Sequence, residues 1–366
     1  MRRPLIILIS VVLPLVAGAR STSFDTLNFR PTTDQGLYLA VEGTDLLSPE
    51  EWVAGFVLDY ARSSLTGIDL AGVRQPIVRD LIGGHLLGAY GILDWLEVGL
   101  NPNFALLEKF FDPVTAAGSS RVRMGETRAS AKLRIFSKEE APVGFVFVPY
   151  IDLPTGSGAS FVGNNSFSGG GTFAVETKRI EERLSFAFNL GYLIRDRVSV
   201  LGTPFDDLLT FGLAANFLVL KRLELIAEFH GGSMISNLGV ESGTPFEGGG
   251  GLRYFFDPDR RWQLTSAVQM GIGAGLGNPS VRGIVGVAYT PPRRVKGVEA
   301  QEAITEVYQV YELKEDTCPF DLPGNPVVSD PACQAVLEEL RQKCPDKREF
   351  KIDRDDPRCL KLYLSQ

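Results

Sequence analysis

GETRASAKLRIF, residues 125–136, places Glu126, Arg128, Ser130, Lys132 and Arg134 at even positions, with Thr127, Ala129, Ala131, Leu133 and Ile135 at odd ones. A strand turns successive side chains to opposite faces, so this stretch has one charged face and one apolar face. In a water-soluble sheet the charged face would simply meet solvent. The rest of the chain decides which solvent touches which side.

The N-terminus gives the first answer. MRRPLIILISVVLPLVAGAR carries Arg2 and Arg3, an apolar run from Leu5 to Val16, and small residues at Ala17 and Ala19. That order is a secretory signal peptide with cleavage expected after Ala19. Broken by Ser10 and Pro14, the run is too short to span a bilayer as a helix. Pro4 directly after the arginines does not fit a twin-arginine signal, and the absence of a nearby cysteine gives no lipoprotein anchor. The 366 residues include 39 glycines and 23 phenylalanines, and the net charge is −7. Mild acidity argues against nucleic acid as a partner. No later stretch is a continuous apolar run of membrane-helix length.

Alternation recurs from Gln35 to Pro291. In LSFAFNLGYLIR, residues 184–195, Leu184, Phe186, Phe188, Leu190, Tyr192 and Ile194 share a face opposite Ser185, Ala187, Asn189, Gly191 and Arg195. RLELIAEFH, residues 222–230, sets Leu223, Leu225, Ala227 and Phe229 against Arg222, Glu224, Glu228 and His230. Residues 207–219, 245–256, 262–272 and 281–290 follow the same rule, as do Trp52, Phe56, Leu58 and Tyr60. Short links (Leu93-Asp94, 138–142, 180–183, Lys221, 257–261) alternate with long ones (64–79, 102–124, 153–171, 196–206, 232–244, 273–280) rich in Gly, Ser, Asn and Pro.

Short turns at one rim and long loops at the other describe a transmembrane barrel. The expected fold is all-β: a closed antiparallel transmembrane β-barrel with a small α-containing, disulfide-linked C-terminal extension. The apolar face of 125–136 then meets lipid and its charged face the lumen, and the sheet closes because every backbone group must be paired in hydrocarbon. Trp52, Tyr60, Tyr254, Trp262 and Tyr289 sit toward strand ends, where aromatic girdles belong. Roughly thirteen segments qualify as strands, but single-chain bacterial barrels have even numbers. About twelve is the expectation, with residues 36–43 outside the wall; about fourteen is the alternative, with a further strand within 24–33. The domains read as a signal peptide at 1–19, an N-terminal segment at 20–34, the barrel at 35–292 and a periplasmic tail at 293–366.

NFRPTTDQGLYLAVEG (28–43), WVAGFVLDYARSSL (52–65), GAYGILDWLEVGL (88–100), YIDLPTG (150–156), FNLGYLIR (188–195), ELIAEFHG (224–231) and GNPSVRGIVGVAYTP (277–291) occur in this order. In them the chain resembles the outer-membrane barrel domain of deltaproteobacterial OmpA-family and porin-like transporter proteins. The resemblance implies an outer-membrane location and solute passage, and carries no catalytic residues over. Residues 293–366 lack the GHTD-type segment of a peptidoglycan-binding domain, so anchoring to peptidoglycan is not expected.

Strand parity assigns further charges to the lumen beside Glu126, Arg128, Lys132 and Arg134. They are Asp59, His85, Glu97, Asp152, Glu176 and Lys178, then Arg195, Glu224, Glu228, His230, Glu247, Arg253 and Arg282. Both signs are mixed. An eight-stranded barrel is filled by side chains and a sixteen-stranded one leaves a channel, so about twelve strands lie between the two cases. Gly249, Gly251, Gly271 and Gly286 on the same face are expected to leave free space. The leading function is a passive, porin-like channel for small solutes. The alternative is a structural or interaction barrel without an open pore, whose long loops at 102–124 and 153–171 engage partners.

Tempting catalytic motifs fail. GIGAGLG (271–277) lacks the GxGxxG spacing, and Asn278-Pro279 blocks the helix that a phosphate cradle needs. In HGGS (230–233) residues three apart on a strand face opposite sides, so nucleophile and base cannot meet. LPTG (153–156) lacks the rest of a sortase signal. His85 and His230 have no ligand-spaced partners and read as polar lumen residues. No enzyme, cofactor or metal is expected. The expected surroundings are outer-membrane lipids, lipopolysaccharide, the barrel-assembly machinery and small solutes, with the tail's periplasmic partner left open.

In the tail, CPFDLPGNPVVSDPAC (318–333) and CPDKREFKIDRDDPRC (344–359) share C-P-x10-D-P-x-C at an offset of 26 residues. Between them PACQAVLEELRQK (331–343) reads as a helix starting at Pro331. Four cysteines in an exported segment favour disulfides, and the repeat favours Cys318–Cys333 with Cys344–Cys359. Closing a loop of about 15 residues contributes roughly 3 kcal/mol on chain-entropy grounds. Zinc is the alternative, but these spacings lack the close ligand pairs of a structural site.

Overall fold

The computed structural model describes residues 25, 28–68, 74–110, 122–156, 162–164, 166–200, 203–273, 275, 277–291 and, in the tail, 320–321 and 325–326. The leader, the expected helix at 331–343 and the four cysteines lie outside the described residues. Contacts divide the chain at Arg294 into the barrel unit and a second unit, Val295–Gln366. In the second unit β15 (Phe320–Asp321) pairs with β16 (Asn325–Pro326).

The strands of the first unit are β1 (Trp52–Ile68), β2 (Arg74–Leu93), β3 (Leu96–Phe110), β4 (Arg123–Phe136), β5 (Val143–Leu153), β6 (Ser168–Thr177) and β7 (Leu184–Ile194). A small hairpin, β8 (Val198–Val200) with β9 (Thr203–Phe205), sits in the next loop. β10 (Leu208–Leu220), β11 (Leu223–Met234), β12 (Phe246–Phe255), β13 (Trp262–Ile272) and β14 (Val281–Tyr289) follow. Twelve of these strands, all but β8 and β9, form one closed antiparallel barrel. Each pairs with its sequence neighbour, and β14 returns to β1 in register from Ala54↔Tyr289 to Arg62↔Val281. Closure removes both sheet edges, so no backbone group of an edge strand faces hydrocarbon.

The alternation is inside-out relative to a soluble protein. On β7, Phe186, Phe188, Leu190 and Tyr192 are exposed, while Ser185, Ala187 and Asn189 are buried. On β11, Glu224, Ile226 and Glu228 are buried and Leu225 is exposed. Such a surface is stable only against lipid, with the polar groups enclosed. At the short-turn rim Trp262 and Trp52 lie against Tyr289, with ring centroids 4.7 and 5.8 Å apart. These are interfacial anchors. At the other rim the hydroxyls of Tyr60 and Tyr192 donate to Asp80 and Asp207 at 2.8 and 2.7 Å.

Two expectations are corrected here. The wall begins at Trp52, not at Gln35, because residues 35–51 form no strand of the barrel; the count of twelve holds with residues 36–43 left out of the wall, and these residues lie inside the bore. The first long loop is short, because β1 and β2 run to 17 and 20 residues and pair as far as Ile68↔Arg74. Near their far ends the inward side chains Ala61, Leu65, Val78, Leu81 and Ala105 form an apolar cluster with Val162, Phe205 and Met234 from the loops and β11. That cluster covers one side of the long-loop mouth.

Candidate functional site

Asp25 and residues 28–48 lie along the lumen from one rim to the other. Near the long-loop rim Asn28 donates to the carbonyl of Gly277 at 3.3 Å, and Arg30 pairs with Glu126 at 2.9 Å and with Asp25 at 3.0 Å. Lower down, the Pro31 and Gln35 carbonyls accept from Asn101 and Gln263 at 3.3 and 3.1 Å. The segment then doubles back, with the Thr32 N–H donating to the Leu39 carbonyl at 2.9 Å. It leaves beside the short-turn rim, where the Leu47 N–H donates to Glu97 at 2.8 Å. Phe29, Tyr38, Leu39, Val41 and Leu46 are buried within the bore.

The wall grips this segment mainly by its main chain. Glu228 accepts from three successive N–H groups, those of Leu39 at 2.7 Å, Ala40 at 3.2 Å and Val41 at 3.1 Å. Arg253 donates to the carbonyls of Gly36 and Tyr38. Asn189 accepts from the Glu42 N–H at 2.7 Å and donates to the Glu42 carbonyl at 2.9 Å. Glu176 accepts from the N–H and hydroxyl of Thr44 at 2.7 and 3.1 Å. These side chains supply the partners that a neighbouring strand would give, so the buried main-chain groups are satisfied without secondary structure. Wall glycines make the room. A Cβ at Gly212 would come within 2.8 Å of Val41 Cγ2, and one at Gly91 would overlap the Leu47 and Ser48 carbonyls.

Charge matching reinforces the grip. Lys132 contacts Asp34 at 2.5 Å and Glu42 at 3.0 Å. Burial would raise the Asp34 carboxyl, but Lys132 and the Gly36 N–H outweigh it and hold it below the usual carboxylate range. At Glu42 burial and the nearby Asp34 prevail over Lys132 and raise the carboxyl. A second network lies in the wall itself. Arg282 bridges Asp59 and Glu247, Asp59 contacts His85 at 3.1 Å, and the Phe29 ring lies 5.3 Å from the guanidinium. Buried pairs of this kind are costly to break, because the remaining charge keeps its desolvation penalty without a partner.

Above Ala40, Val41 and Glu42 the segment leaves a cavity of about 240 Å³ on the side of β4–β11. Its walls include Arg30, Arg128, Tyr150, Arg195, Phe205 and Met234. Arg128 makes a two-pronged contact with Asp152, at 2.8 Å on both oxygens, and lies 3.9 Å over the Tyr150 ring.

The charged residues picked out by parity divide clearly. Asp59, His85, Glu97, Glu126, Lys132, Asp152, Glu176, Glu224, Glu228, Glu247, Arg253 and Arg282 are buried inside the barrel, whereas Arg128, Arg134, Arg195 and His230 are partly buried. Glu224 receives Arg179 and Arg260 at 3.0 Å each. His230 lies 3.4 Å from Gln269. Lys178 is a correction: β6 ends at Thr177, and Lys178 is exposed in the turn beyond it, where strand parity has no meaning. The glycines are another. Gly249, Gly251, Gly271 and Gly286 do not open free space, because a Cβ there would strike neighbouring strands or loop residues. Attention to charges alone left the amides Asn101, Asn189, Asn216 and Gln263 without a role, although their parity is inward and Asn189 already stood on the inward face. The bore segment itself was missed because its apolar residues look like a strand. Pro31, Asp34 and Gly36, turn residues too close together for one, were the available sign.

A family model described as "Putative MetA-pathway of phenol degradation" matches residues 69–274, more than half of the sequence. The chain belongs to that family. Among solved structures, this phenol-degradation-family barrel is similar to the COG4313 outer membrane channel from Pseudomonas putida F1. The two share 12% identity at a TM-score of 0.50, over 68% of this chain and 98% of the other. The Ralstonia pickettii toluene transporter TbuX matches at 9% identity and a TM-score of 0.40, over 72% and 99%. No curated protein sequence matches the chain. At such identities the likeness concerns the fold, which is that of an outer-membrane barrel.

Proposed function

We propose that this chain is a passive outer-membrane channel for small solutes, held shut at rest by residues 25–48. The observation that carries the reading is a bore of charged and amide side chains, filled by a segment of the same chain that is bound through main-chain atoms. Every such contact exchanges side chain for water when the segment withdraws, and the net value of each is only about 0.5–1.5 kcal/mol. The bore left behind is polar and fills with water. Membership of the phenol-degradation family and the channel fold support the same reading.

The competing reading is a permanently sealed structural or interaction barrel, and the ionic contacts of Lys132 and Arg30 with the segment favour it. Planar-bilayer recording separates the two. The full chain should show brief openings, and a variant lacking residues 25–48 should conduct steadily. A deletion variant that folds as a heat-modifiable barrel yet never conducts would remove the channel reading.

Orientation follows the rule that short turns face the periplasm. Residues 293–366 then lie on the periplasmic side and the long loops face outward, among lipopolysaccharide. Assembly by the barrel-insertion machinery belongs to the same proposal, as does an affinity with deltaproteobacterial OmpA-family barrels. Protease added to intact cells should cut the long loops and spare the tail.

A further inference from the structure

The cavity above Glu42 holds several charges, and nearly all are matched. Arg30 holds Glu126 and Asp25, Arg128 holds Asp152, Arg282 holds Glu247, and Lys132 holds Glu42. Arg195 is different. It follows the last residue of β7, and its Nε donates to the Asp206 carbonyl at 2.7 Å. Its guanidinium carbon lies 5.6 Å from the centre of the Phe205 ring. Among the described residues, no carboxylate forms an ion pair with it. Burial lowers its pKa from the ordinary arginine value even though Glu126, Asp206 and Asp207 pull the other way. A guanidinium that gives up hydration without a contacting anion is an uncompensated cost in the folded protein.

Two further features share this space. The Tyr150 ring, held beneath Arg128, lines the same cavity, and its hydroxyl lies close to Gly170 and within electrostatic reach of Arg195. The opposite side is apolar, built from Phe205, Leu208 and Met234, which also belong to the mouth cluster or pack on it. At about 240 Å³ the space is below the range of roughly 300–1,000 Å³ typical of drug-sized ligands.

We infer that this cavity binds a small organic monoanion, its charged group on Arg195 and the Tyr150 hydroxyl and its apolar body against Phe205, Leu208 and Met234. Among the described residues of the lining Arg195 is the arginine outside an ion pair, and the carboxylates around it, Glu126 above all, repel a second negative charge, which sets the ligand's charge at one. The apolar wall disfavours inorganic phosphate, which would lose hydration there without replacement. The inference rests on the channel reading in that it names the class of solute taken from the long-loop side. The cavity's floor is the bore segment itself, so such a solute touches the element that must move.

The test is calorimetric titration of the purified full chain in detergent, at constant pH and ionic strength, with benzoate, benzyl alcohol and inorganic phosphate as probes. Benzoate should bind saturably. Benzyl alcohol, which keeps the ring and loses the charge, should bind about tenfold or more weakly, the scale of a charged hydrogen bond. Arg195→Gln should weaken benzoate by a similar factor and leave benzyl alcohol unchanged, and Arg195→Lys should fall between. Arg179→Gln at the opposite rim should change neither. Equal affinity for benzoate and benzyl alcohol overturns the inference, as do phosphate binding as tight as benzoate, unaltered benzoate binding in a folded Arg195→Gln barrel, or no saturable binding. The wild-type comparison needs no variant to fold. Arg195-dependent benzoate binding in a barrel that never conducts would sink the channel reading and leave the site standing.

Discussion

Glu228→Ala is the sharpest probe of how the bore is closed. The carboxylate accepts from the N–H groups of Leu39, Ala40 and Val41 at 2.7, 3.2 and 3.1 Å. Truncation leaves three buried donors without an acceptor, at about 1–3 kcal/mol each. Water can follow into the space, and the alanine variant no longer dehydrates a carboxylate when the segment docks. Both effects pull the total to the low end, about 3 kcal/mol against the closed state. That corresponds to an open-to-closed ratio raised roughly a hundredfold. Single-channel open probability in planar bilayers reads this ratio directly. The same substitution in a barrel lacking residues 25–48 serves as the control, where open probability should not respond. Glu228→Gln keeps one oxygen acceptor and should lie between wild type and alanine. An open probability unchanged by Glu228→Ala in a folded barrel would refute the claim that these contacts hold the bore shut.

Other outcomes follow from the same geometry. Lys132→Met strands Asp34 and Glu42 beside Glu97 without a cation and should destabilise the docked segment by about 3–5 kcal/mol, seen as faster proteolysis within 25–48. Asp34, held below its unfolded value, contributes to docking above the ordinary carboxylate pKa and loses that contribution as pH falls through the depressed one, so acid should release the segment. Glu42 is raised, so its contribution has the opposite sign: it is present at low pH and lost as pH climbs through the raised value. Asp34→Asn should therefore loosen the segment at neutral pH and Glu42→Gln should not, with proteolysis rates as the measure. Gly91→Val drives a side chain into the Leu47 and Ser48 carbonyls and should raise conductance only in chains that keep the segment. Leu213, 48% exposed near the middle of β10, faces lipid, so Leu213→Arg should cost about 2–4 kcal/mol and reduce assembled, heat-modifiable barrel.

The barrel was legible because lipid imposes a rule on every strand. Once Phe186, Phe188 and Leu190 read outward, Asn189 had to read inward, and the loop lengths fixed which ends were which. The contents of the lumen obey no such period. Leu37, Tyr38, Leu39, Ala40 and Val41 make an apolar run of strand length, yet Tyr38, Val41 and Glu42 find their partners in Glu176, Glu228 and Asn189, residues more than a hundred positions away in sequence. A contact between a side chain and a distant main-chain atom leaves no pattern in either stretch. For the same reason Glu228 could be placed on the lumen face while its role as an acceptor for three amides could not. Lys178 marks the converse failure, a parity argument carried one residue past the strand that justified it.

The chain from Asn28 to Ser48 enters the bore at one rim and leaves it at the other before β1 begins. The molecule is thus a ring around its own thread. Seam formation between β1 and β14, the pairing of the two most distant stretches of wall, is topologically tied to the thread's position. A ring sealed first would require a free chain end to be drawn through its full height, past each charged neighbour in turn. A ring that seals last, around a thread already bound to the half-built wall, requires no such passage, and the thread then serves as the mandrel on which the cylinder is rolled.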